Sequence, residues 1–297
     1  MNLGDIMNLI QLKYFISVCE TGTVSGASEI LHISQPSLST AVKELETEFG
    51  VKLFSREHRG MTMTAEGERL YKMAKELLNR AEQTENIMRD MGKQRKILRL
   101  GVPPMIGSVI LPNIYREFLA ENPDIHIEIT EGGQHELSEK LSEGLLDMIF
   151  MPREHFEEKD FSGINIVNTE IVCCVSENNS LAKKERITAK DLENVPIVLF
   201  KDSFYHTEEA RKWFAAAEVK PDIIMQTAQL STIRSMILNN VAAGFMFRTL
   251  VDEEEGFRPI SASPGMEMNI SLVWKKDSYF FASMKKFRDY VESNNLF

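Results

Sequence analysis

The sequence predicts a mixed fold of three parts: a small helical unit with a β-hairpin, one long helix, and a larger α/β domain. Three observations support this prediction. Residues 7–64 contain three short amphipathic segments with recognisable helix ends, followed by two short extended runs. From about Ala65 to Met91, apolar residues recur at alternating steps of four and three. From Ile97 onward, short apolar runs alternate with helical patterns, which is typical of a mostly parallel sheet covered by helices.

The first two predicted helices form a close pair. Residues 9–21 place apolar side chains at helical spacing and can complete a three-helix core. The second segment, Val24–Leu31, carries the small residues Gly26, Ala27 and Ser28, which allow another helix to cross closely. A connection of only two residues leads from it into the third helix, as in a helix-turn-helix.

The third predicted helix has the clearest start in the chain. Ser34 is a favoured N-cap residue, and Pro36 falls in the first turn, where a missing N–H costs nothing. The apolar residues of this helix share one face, and the other face carries hydrogen-bonding groups and one cation: Gln35, Ser37, Ser39, Thr40 and Lys43. Such groups read base edges and phosphates in a major groove, so the front of this helix is predicted to contact DNA.

A hairpin is predicted after the third helix. Gly50 stops the helix, and extended runs at residues 51–54 and 61–64 flank a basic turn. Arg56 and Arg59 lie in that turn, where they would contact backbone phosphate as the wing of a winged helix. A turn that is merely solvated is the alternative interpretation of the same residues.

Several motifs follow one another in residues 7–67: Leu12-Lys13-Tyr14-Phe15, Ala27, Leu31, Ser34-Gln35-Pro36-Ser37-Leu38-Ser39, Leu45-Glu46, Gly50-Val51-Lys52-Leu53-Phe54-Ser55-Arg56 and Thr64-Ala65-Glu66-Gly67. In order and spacing they resemble the winged helix-turn-helix of LysR-type transcriptional regulators. Gly26 and Thr40 depart from the family, because many members carry a cation or an amide there. Specificity is therefore expected to depend on hydrogen bonds and paired half-sites more than on charge.

The resemblance implies a partner, double-stranded DNA, bound at an interrupted inverted repeat in a promoter. Base contacts are assigned to residues at the front of the third helix: Gln35, Pro36, Ser37, Ser39 and Thr40. Contacts to phosphates are assigned to the N-cap and to the cations: Ser34, Lys43, Arg56 and Arg59.

The net charge of −10 is unusual for a DNA-binding protein, but it is unevenly distributed. Residues 7–95 hold twelve basic and twelve acidic side chains, so the acidity belongs to the C-terminal part. A neutral unit with a local basic patch still binds phosphate, with modest and salt-sensitive nonspecific affinity.

The long helix carries a heptad-like seam, which is the pattern for pairing two helices. Its members are Leu70, Ala74, Leu77, Ala81, Thr84, Met88 and Met91. The resemblance implies a homodimer through this helix and a homotetramer through the effector lobes. The alternative is that the seam packs on the chain's own core.

The α/β part is predicted to form two lobes joined by crossing strands, resembling the effector domain of the same family and periplasmic solute-binding proteins. Its landmarks are Gly101, Leu111-Pro112, Pro123, Gly144-Leu145-Leu146-Asp147 and Ala242-Ala243-Gly244. The predicted domains are a winged helix-turn-helix at 7–64, a linker helix at 65–94 and an effector-binding domain at 95–297. Lobe I is placed at about 95–167 and 268–297, and lobe II at about 168–267.

A small-molecule effector is expected between the lobes, near strand C-termini and helix N-termini. The candidate residues follow three strand ends: Pro104, Met105, Gln134, Phe200, Lys201 and Ser203. In the family, a hydroxyl residue is common at the position of Met105 and small carboxylates are common effectors. A carboxylate is thus one candidate here, with Lys201 and helix N–H groups as anion donors. The alternative is that these residues are ordinary loop and core.

Other function classes find little support. The six histidines show no metal-ligand spacing, no phosphate-binding glycine loop occurs, and no catalytic residue, metal or cofactor is predicted. A solute-binding transport component would have similar lobes, but no signal peptide or membrane-spanning run is evident, so the cytoplasm is expected. Cys173 and Cys174 are neighbours on a predicted strand, where side chains alternate between faces, so buried thiols are favoured over a redox pair.

Overall fold

The computed structural model describes residues 7–57, 60–92, 96–153, 159–251, 256–294 and 296. The chain divides into two compact units, Met1–Met88 and Arg89–Phe297. Among the described residues, no helix combines the length and the apolar character that crossing a membrane requires.

The first unit is a winged helix-turn-helix. Its elements are α1 (Leu9–Thr21), α2 (Val24–Leu31), α3 (Gln35–Phe49), the antiparallel strands β1 (Phe54–Glu57) and β2 (Gly60–Met63), and α4 (Ala65–Met91). Its core is made of fully or nearly fully buried apolar side chains: Phe15, Val18, Ala27, Leu38, Val42, Leu45, Leu53 and Phe54. The predicted helices and the hairpin are therefore confirmed, with β1 beginning at Phe54 rather than Val51.

Local capping explains why these helices begin and end where they do. Asn8 and Gln11 form a capping box at the start of α1, and the Ser34 hydroxyl accepts a hydrogen bond from the Ser37 backbone N–H at the start of α3. Gly22 and Gly50 end α1 and α3 at positive φ, 67° and 65°, where a glycine avoids the strain of a Cβ.

One half of the second unit, which we call lobe I, is built on parallel strands. It contains β3 (Ile97–Val102), α5 (Pro104–Asn113), a π-helical turn (Ile114–Phe118), α6 (Leu119–Glu121), β4 (His126–Glu131), α7 (Gln134–Glu143), β5 (Met148–Pro152) and α10 (Ala282–Ser293). β3 pairs in parallel with both β4 and β5. Every residue of β5 is buried, as its apolar sequence predicts.

The other half, which we call lobe II, repeats this arrangement. It contains β7 (Arg186–Ile187), β8 (Pro196–Phe200), α8 (Tyr205–Ala216), β9 (Asp222–Thr227), α9 (Leu230–Leu238), β10 (Ala243–Phe247) and β11 (Phe257–Ala262). Short 3-10 turns lie at Ser180–Lys183, Ala189–Leu192 and Arg248–Leu250. β8 pairs in parallel with β9 and β10.

Two long strands join the lobes into one ten-stranded sheet. β6 (Phe161–Ser176) pairs with β12 (Glu267–Lys275) over its first part and with β10 and β11 over its second part. Glu170 lies opposite Glu267 where β6 passes from one lobe to the other. The two-lobed α/β fold predicted from the sequence is therefore confirmed.

Several boundaries differ from the sequence prediction. α5 begins at Pro104 rather than Ser108, because Pro103 is extended and a proline is well suited to the first helical turn. The prediction marked only an interruption at Pro112; the structure shows a π-helical turn immediately after it. The prediction also missed β7 and β11, and it detected only the final third of the sixteen-residue strand β6, from Glu170 onward.

The seam predicted on α4 does not remain on one surface. Leu70 packs against the core of the first unit and Ala74 is 1% exposed. Met73 and Leu77, one turn apart, are 59% and 42% exposed, and Met88 is 62% exposed on the same stripe of the helix. The start of the seam therefore packs in the unit's own core. Further along, Ala81 is half-buried, and the other predicted members are exposed: Leu77, Thr84, Met88 and Met91.

Candidate functional site

The front of α3 presents the predicted polar row to solvent. Leu38, Ala41 and Leu45 are buried, whereas the predicted base-contacting and phosphate-contacting residues of this helix are all exposed: Ser34, Gln35, Pro36, Ser37, Ser39, Thr40 and Lys43. The Ser34 and Ser37 hydroxyls lie 2.7 Å apart and bind each other at the cap. Because this pair is already engaged in capping, the outward-facing hydroxyls of Ser39 and Thr40 are the better placed to bind a ligand.

The turn before α3 fixes how this row is presented. His32 ends α2 in the left-handed region at φ 53°, and the Ile33 N–H donates to the Ser28 carbonyl. Ser28 is buried, and its hydroxyl donates to the Ser25 carbonyl 2.8 Å away. Ala27 is fully buried in one core cluster with Leu38 of α3, whereas a Cβ on Gly26 would lie 2.9 Å from the Thr23 hydroxyl oxygen, at the start of α2.

The wing is anchored to both sides of the unit. The Met61 N–H donates to the Gly22 carbonyl, and the Thr64 hydroxyl donates to the Lys52 carbonyl. Arg56 pairs with Met61 in the strand register, and its side chain lies outside the described structure. Arg59 also lies outside the described residues. The placement of these two arginines at the tip stays a prediction.

Glu46 stabilises the approach to the wing. Its carboxylate accepts from Lys52 Nζ at 2.7 Å and from the Leu53 N–H at 2.9 Å. Burial alone would raise the pKa of Glu46, but the hydrogen bonds from Lys52 and from backbone N–H groups outweigh it, so the pKa is lowered. The Lys52 side chain is 77% exposed and remains accessible to a phosphate.

In the second unit, the C-terminal ends of the parallel strands of both lobes lie next to the crossing strands. Val102 at the end of β3 is opposite Glu131 at the end of β4. Phe247 at the end of β10 is opposite Ile171, one residue beyond the crossing at Glu170. This is the edge at which small molecules bind in open α/β sheets.

One backbone hydrogen bond joins the two lobes at this edge. The Gln134 N–H, at the start of α7, donates to the Ser203 carbonyl of lobe II at 3.1 Å. A Cβ on Gly133 would lie 2.6 Å from that same carbonyl oxygen, so the glycine permits the close approach. The structure thus brings Gln134 and Ser203 together across the lobes.

The other predicted effector residues are arranged unevenly. Met105 and Phe200 are 1% exposed, Gln134 is 7% exposed and Pro104 is half-buried, whereas Lys201 and Ser203 are exposed. The Phe200 carbonyl accepts from the Thr207 hydroxyl and from Gln226 Nε2, both at 3.2 Å. Phe200 therefore acts as a structural support of the loop that follows it.

Asp202 further stabilises this loop, which connects Phe200 at the end of β8 to Tyr205 at the start of α8. Its carboxylate accepts from Gln226 Nε2 and from Arg211 Nε, each at 2.9 Å. The hydrogen bond from Gln226, followed by the one from Arg211, lowers the pKa of Asp202. The negative charge of Asp202 is therefore paired with the positive charge of Arg211.

Sequence reasoning missed His206, which follows the same loop and begins α8 together with Tyr205. His206 is 3% exposed, and its ring lies edge-to-face against Phe200 at 4.5 Å and Phe247 at 5.5 Å between centroids. Burial lowers the pKa of His206 to about 3, so the imidazole is neutral at physiological pH. The sequence prediction began α8 at Thr207, two residues late, and so left His206 outside the helix.

Arg248 was also missed. It follows β10 and donates through Nε to Glu170 at the strand crossing and through Nη2 to the Ser261 hydroxyl at 2.7 Å. Ser261 in turn donates to Glu170 at 3.1 Å. This network joins the end of β10 to the point where the lobes meet.

Cys173 and Cys174 are both fully buried on β6, in agreement with the prediction of buried thiols. Burial raises the pKa of Cys173 to about 12, which disfavours the reactive thiolate. Among the described residues, no group of three or more His, Cys, Asp or Glu side chains is arranged to hold a metal ion.

The chain combines a winged helix-turn-helix, whose third helix exposes a polar front, with a two-lobed α/β domain. This combination defines a class of DNA-binding regulators with a ligand-binding domain. The pattern described as "Bacterial regulatory helix-turn-helix protein, lysR family" matches residues 9–68, and "LysR substrate binding domain" matches residues 92–295. The chain belongs to the LysR family of transcriptional regulators.

Relatives match over nearly the full length. The "Uncharacterized HTH-type transcriptional regulator YwbI" of Bacillus subtilis (strain 168) is 26% identical, over 97% of this chain and 96% of the relative. The "Hydrogen peroxide-inducible genes activator" of Haemophilus influenzae is 27% identical, over 92% of each. The crystal structure of full-length CbnR with its target DNA has a TM-score of 0.71 at 22% identity, covering 97% and 99% of the two chains, and shows the shared fold.

Proposed function

We propose that this LysR-type regulator reads an interrupted inverted repeat in promoter DNA through the front of α3. The observation that carries this proposal is the exposed row of Gln35, Ser39, Thr40 and Lys43 opposite a buried apolar face. Serine, threonine and glutamine side chains bind base edges in the major groove, and lysine binds phosphate. Ser34, Pro36, Ser37, Arg56 and Arg59 complete the proposed surface.

We expect replacement of Ser39 and Thr40 by alanine to weaken binding to the protein's own upstream DNA by tenfold or more, since each lost base contact costs about 1–3 kcal/mol. Lys43→Ala should weaken binding to all sequences alike and reduce the salt dependence by about one phosphate contact. Gel shifts at several salt concentrations measure both effects.

Ser142→Ala is the matched control for the serine and threonine replacements. Ser142 is an exposed helical serine on α7, whose hydroxyl donates only within its own helix, to Glu139. The control should bind DNA as the wild type does. Wild-type affinity and sequence preference in the Ser39/Thr40 variant would refute the assignment of base reading to this row.

We further propose that the chain forms a homodimer through the outward-facing stripe of α4, so that two winged units read the two half-sites. Met73, Leu77 and Met88 provide exposed apolar surface on one stripe, which a partner helix would remove from water. The proposed homotetramer, through contacts of the effector lobes, would bring two such pairs onto one promoter.

Replacing Leu77 and Met88 together by glutamate should shift the protein from dimer to monomer at micromolar concentration, because it places like charges in the shared seam. Sedimentation velocity measures the change. Ile30→Glu, at a residue of α2 that is 66% exposed, is the control and should leave the assembly intact. Unchanged sedimentation of the α4 variant would show that the dimer forms elsewhere.

The regulatory signal is proposed to be a small molecule that binds between the lobes, near Pro104, Met105, Gln134, Lys201 and Ser203, with Phe200 beneath. The contact between Gln134 and Ser203 supports this placement, because it joins the two lobes at this edge. A ligand that binds one lobe arrangement more tightly shifts the protein toward it. The protein is proposed to act in the cytoplasm, to perform no catalysis and to use no metal or cofactor.

A further inference from the structure

Four buried polar atoms that have no hydrogen-bond partner lie on segments bordering the gap between the lobes. They are Gln134 Oε1, His206 Nε2, Thr169 Oγ1 and Thr249 Oγ1. Gln134 follows β4 and His206 follows β8, while Thr249 follows β10 and Thr169 lies in β6 at the strand crossing. The segments come from both lobes and meet at the edge where strand C-termini face the crossing.

Unsatisfied polar groups of this kind are rare in folded proteins, because a buried group without a partner keeps its desolvation cost. Gln134 and His206 are 7% and 3% exposed, so water has little access to them. His206 is enclosed by aromatic rings, with Phe204 at 6.0 Å in addition to Phe200 and Phe247. A ligand that hydrogen-bonds to these atoms would remove that cost on binding.

The cationic side chains around the gap are either bound to other side chains of the protein or exposed to solvent. Arg248 is bound to Glu170 and Ser261, and Arg211 is bound to Asp202. Lys201 is exposed to solvent. Within the described ranges, no buried cation is therefore left to neutralise an anion beside His206 and Gln134, and burying an unpaired carboxylate there would be costly.

We infer that the site between the lobes takes an uncharged small molecule that donates N–H or O–H hydrogen bonds to Gln134 and His206, with Thr169 and Thr249 as further partners. The inference deepens the proposed effector site and depends on it. It assigns specificity to His206, Thr169 and Thr249, and it excludes the small carboxylate as the preferred ligand.

The test uses the full-length protein and two pairs of probes of similar shape that differ in charge and in N–H donors: nicotinamide with nicotinate, and 2-phenylacetamide with phenylacetate. Calorimetric titration and thermal shift measure binding. We expect at least one amide to bind tenfold or more tightly than its carboxylate. His206→Phe, Gln134→Met and Thr249→Val should each weaken amide binding tenfold or more, and His126→Phe, at an exposed residue of β4, should not.

Three results would overturn the inference: carboxylates that bind as tightly as their amides, no binding of either amide, or amide binding that all three variants retain. His206→Phe alters a buried site, so Thr249→Val serves as a second variant. The tryptophan fluorescence of each variant should match that of the wild type, which shows that a loss of binding is not a loss of the fold. A gel shift on the same samples tests the proposed function separately. Amide binding with the stated residue dependence but no sequence-preferring DNA binding would contradict the regulator mechanism and support the ligand class.

Discussion

Gly67→Ala is expected to destabilise the winged unit by about 3 kcal/mol and to abolish DNA binding, although alanine is the better helix former. A Cβ at this position would lie 2.2 Å from the Leu53 carbonyl oxygen and 3.1 Å from its carbon. The clash is with backbone rather than with the end of a flexible side chain, so no change of rotamer relieves it.

Leu53 cannot move away, because its backbone is held on both sides. Its N–H donates to Glu46 at 2.9 Å, and its carbonyl accepts from the Thr64 N–H at 3.0 Å. The Leu53 side chain is itself 1% exposed in the core of the unit. The added methyl group must therefore separate α4 from the segment that leads into the wing.

Hydrogen exchange by mass spectrometry measures this effect, since amides of α1, α2 and α3 should lose protection. Gly265→Ala is the matched control, because its Cβ would meet nothing within 4 Å. Both tryptophans, Trp213 and Trp274, lie in the second unit, so their fluorescence should stay unchanged and show that the damage is local. Wild-type protection of the three helices would contradict the predicted clash.

Gly67 illustrates both what the sequence could predict and what it could not. It was recognised as part of the motif Thr64-Ala65-Glu66-Gly67, but the reason for a glycine in the first turn of a helix appears only in the distance to Leu53. By contrast, α1, α2 and α4 end where predicted, because local capping and periodicity determine those ends.

The α/β domain was predicted in outline for a similar reason. Short apolar runs identified β3, β5, β8 and β10, since buried parallel strands are apolar throughout. The first nine residues of β6 were missed because their burial is mixed and their polar residues lie where the strand leaves one lobe for the other. Long-range pairing, rather than local pattern, makes that segment a strand.

The candidate site shows the same limit. The polar front of α3 was predicted residue by residue, because the spacing of apolar residues in an amphipathic helix shows which face is exposed. His206 was not predicted, because its burial depends on rings from β8 and β10 that are distant in sequence. A histidine in isolation gives no sign that it will be enclosed and neutral.

Acidification is expected to destabilise the second unit through His206. The folded-state pKa of His206 is about 3, whereas an unfolded histidine has a pKa of about 6.5. Above pH 6.5, neither state binds the proton, and the free energy of unfolding carries no penalty from this residue. Below it, only the unfolded chain binds the proton, so stability falls by about 1.4 kcal/mol per pH unit, reaching a loss of about 2.7 kcal/mol at pH 4.5.

Urea unfolding followed by tryptophan fluorescence between pH 7 and pH 4.5 measures this loss. Trp213 is suited to the purpose, because it packs against Phe214 and Phe245 in lobe II. The window lies above the range in which Asp191 matters, whose pKa is lowered to about 2 by the Lys184 hydrogen bond and then by the Thr188 N–H. Stability conferred by Asp191 is lost only as the pH falls from about 4 toward 2.

His206→Phe separates this effect from all others that accompany acidification. A phenyl ring fits the aromatic surroundings of Phe200 and Phe247 and binds no proton, so the variant should lose about 2.7 kcal/mol less than the wild type between pH 7 and pH 4.5. His126→Phe, at an exposed position, should follow the wild type. Equal losses in the wild type and in His206→Phe would show that His206 is not held neutral. Below pH 6.5, a donor group of an uncharged ligand would then meet an imidazolium rather than an acceptor at Nε2, and the preference for amides over carboxylates should be lost in that pH range.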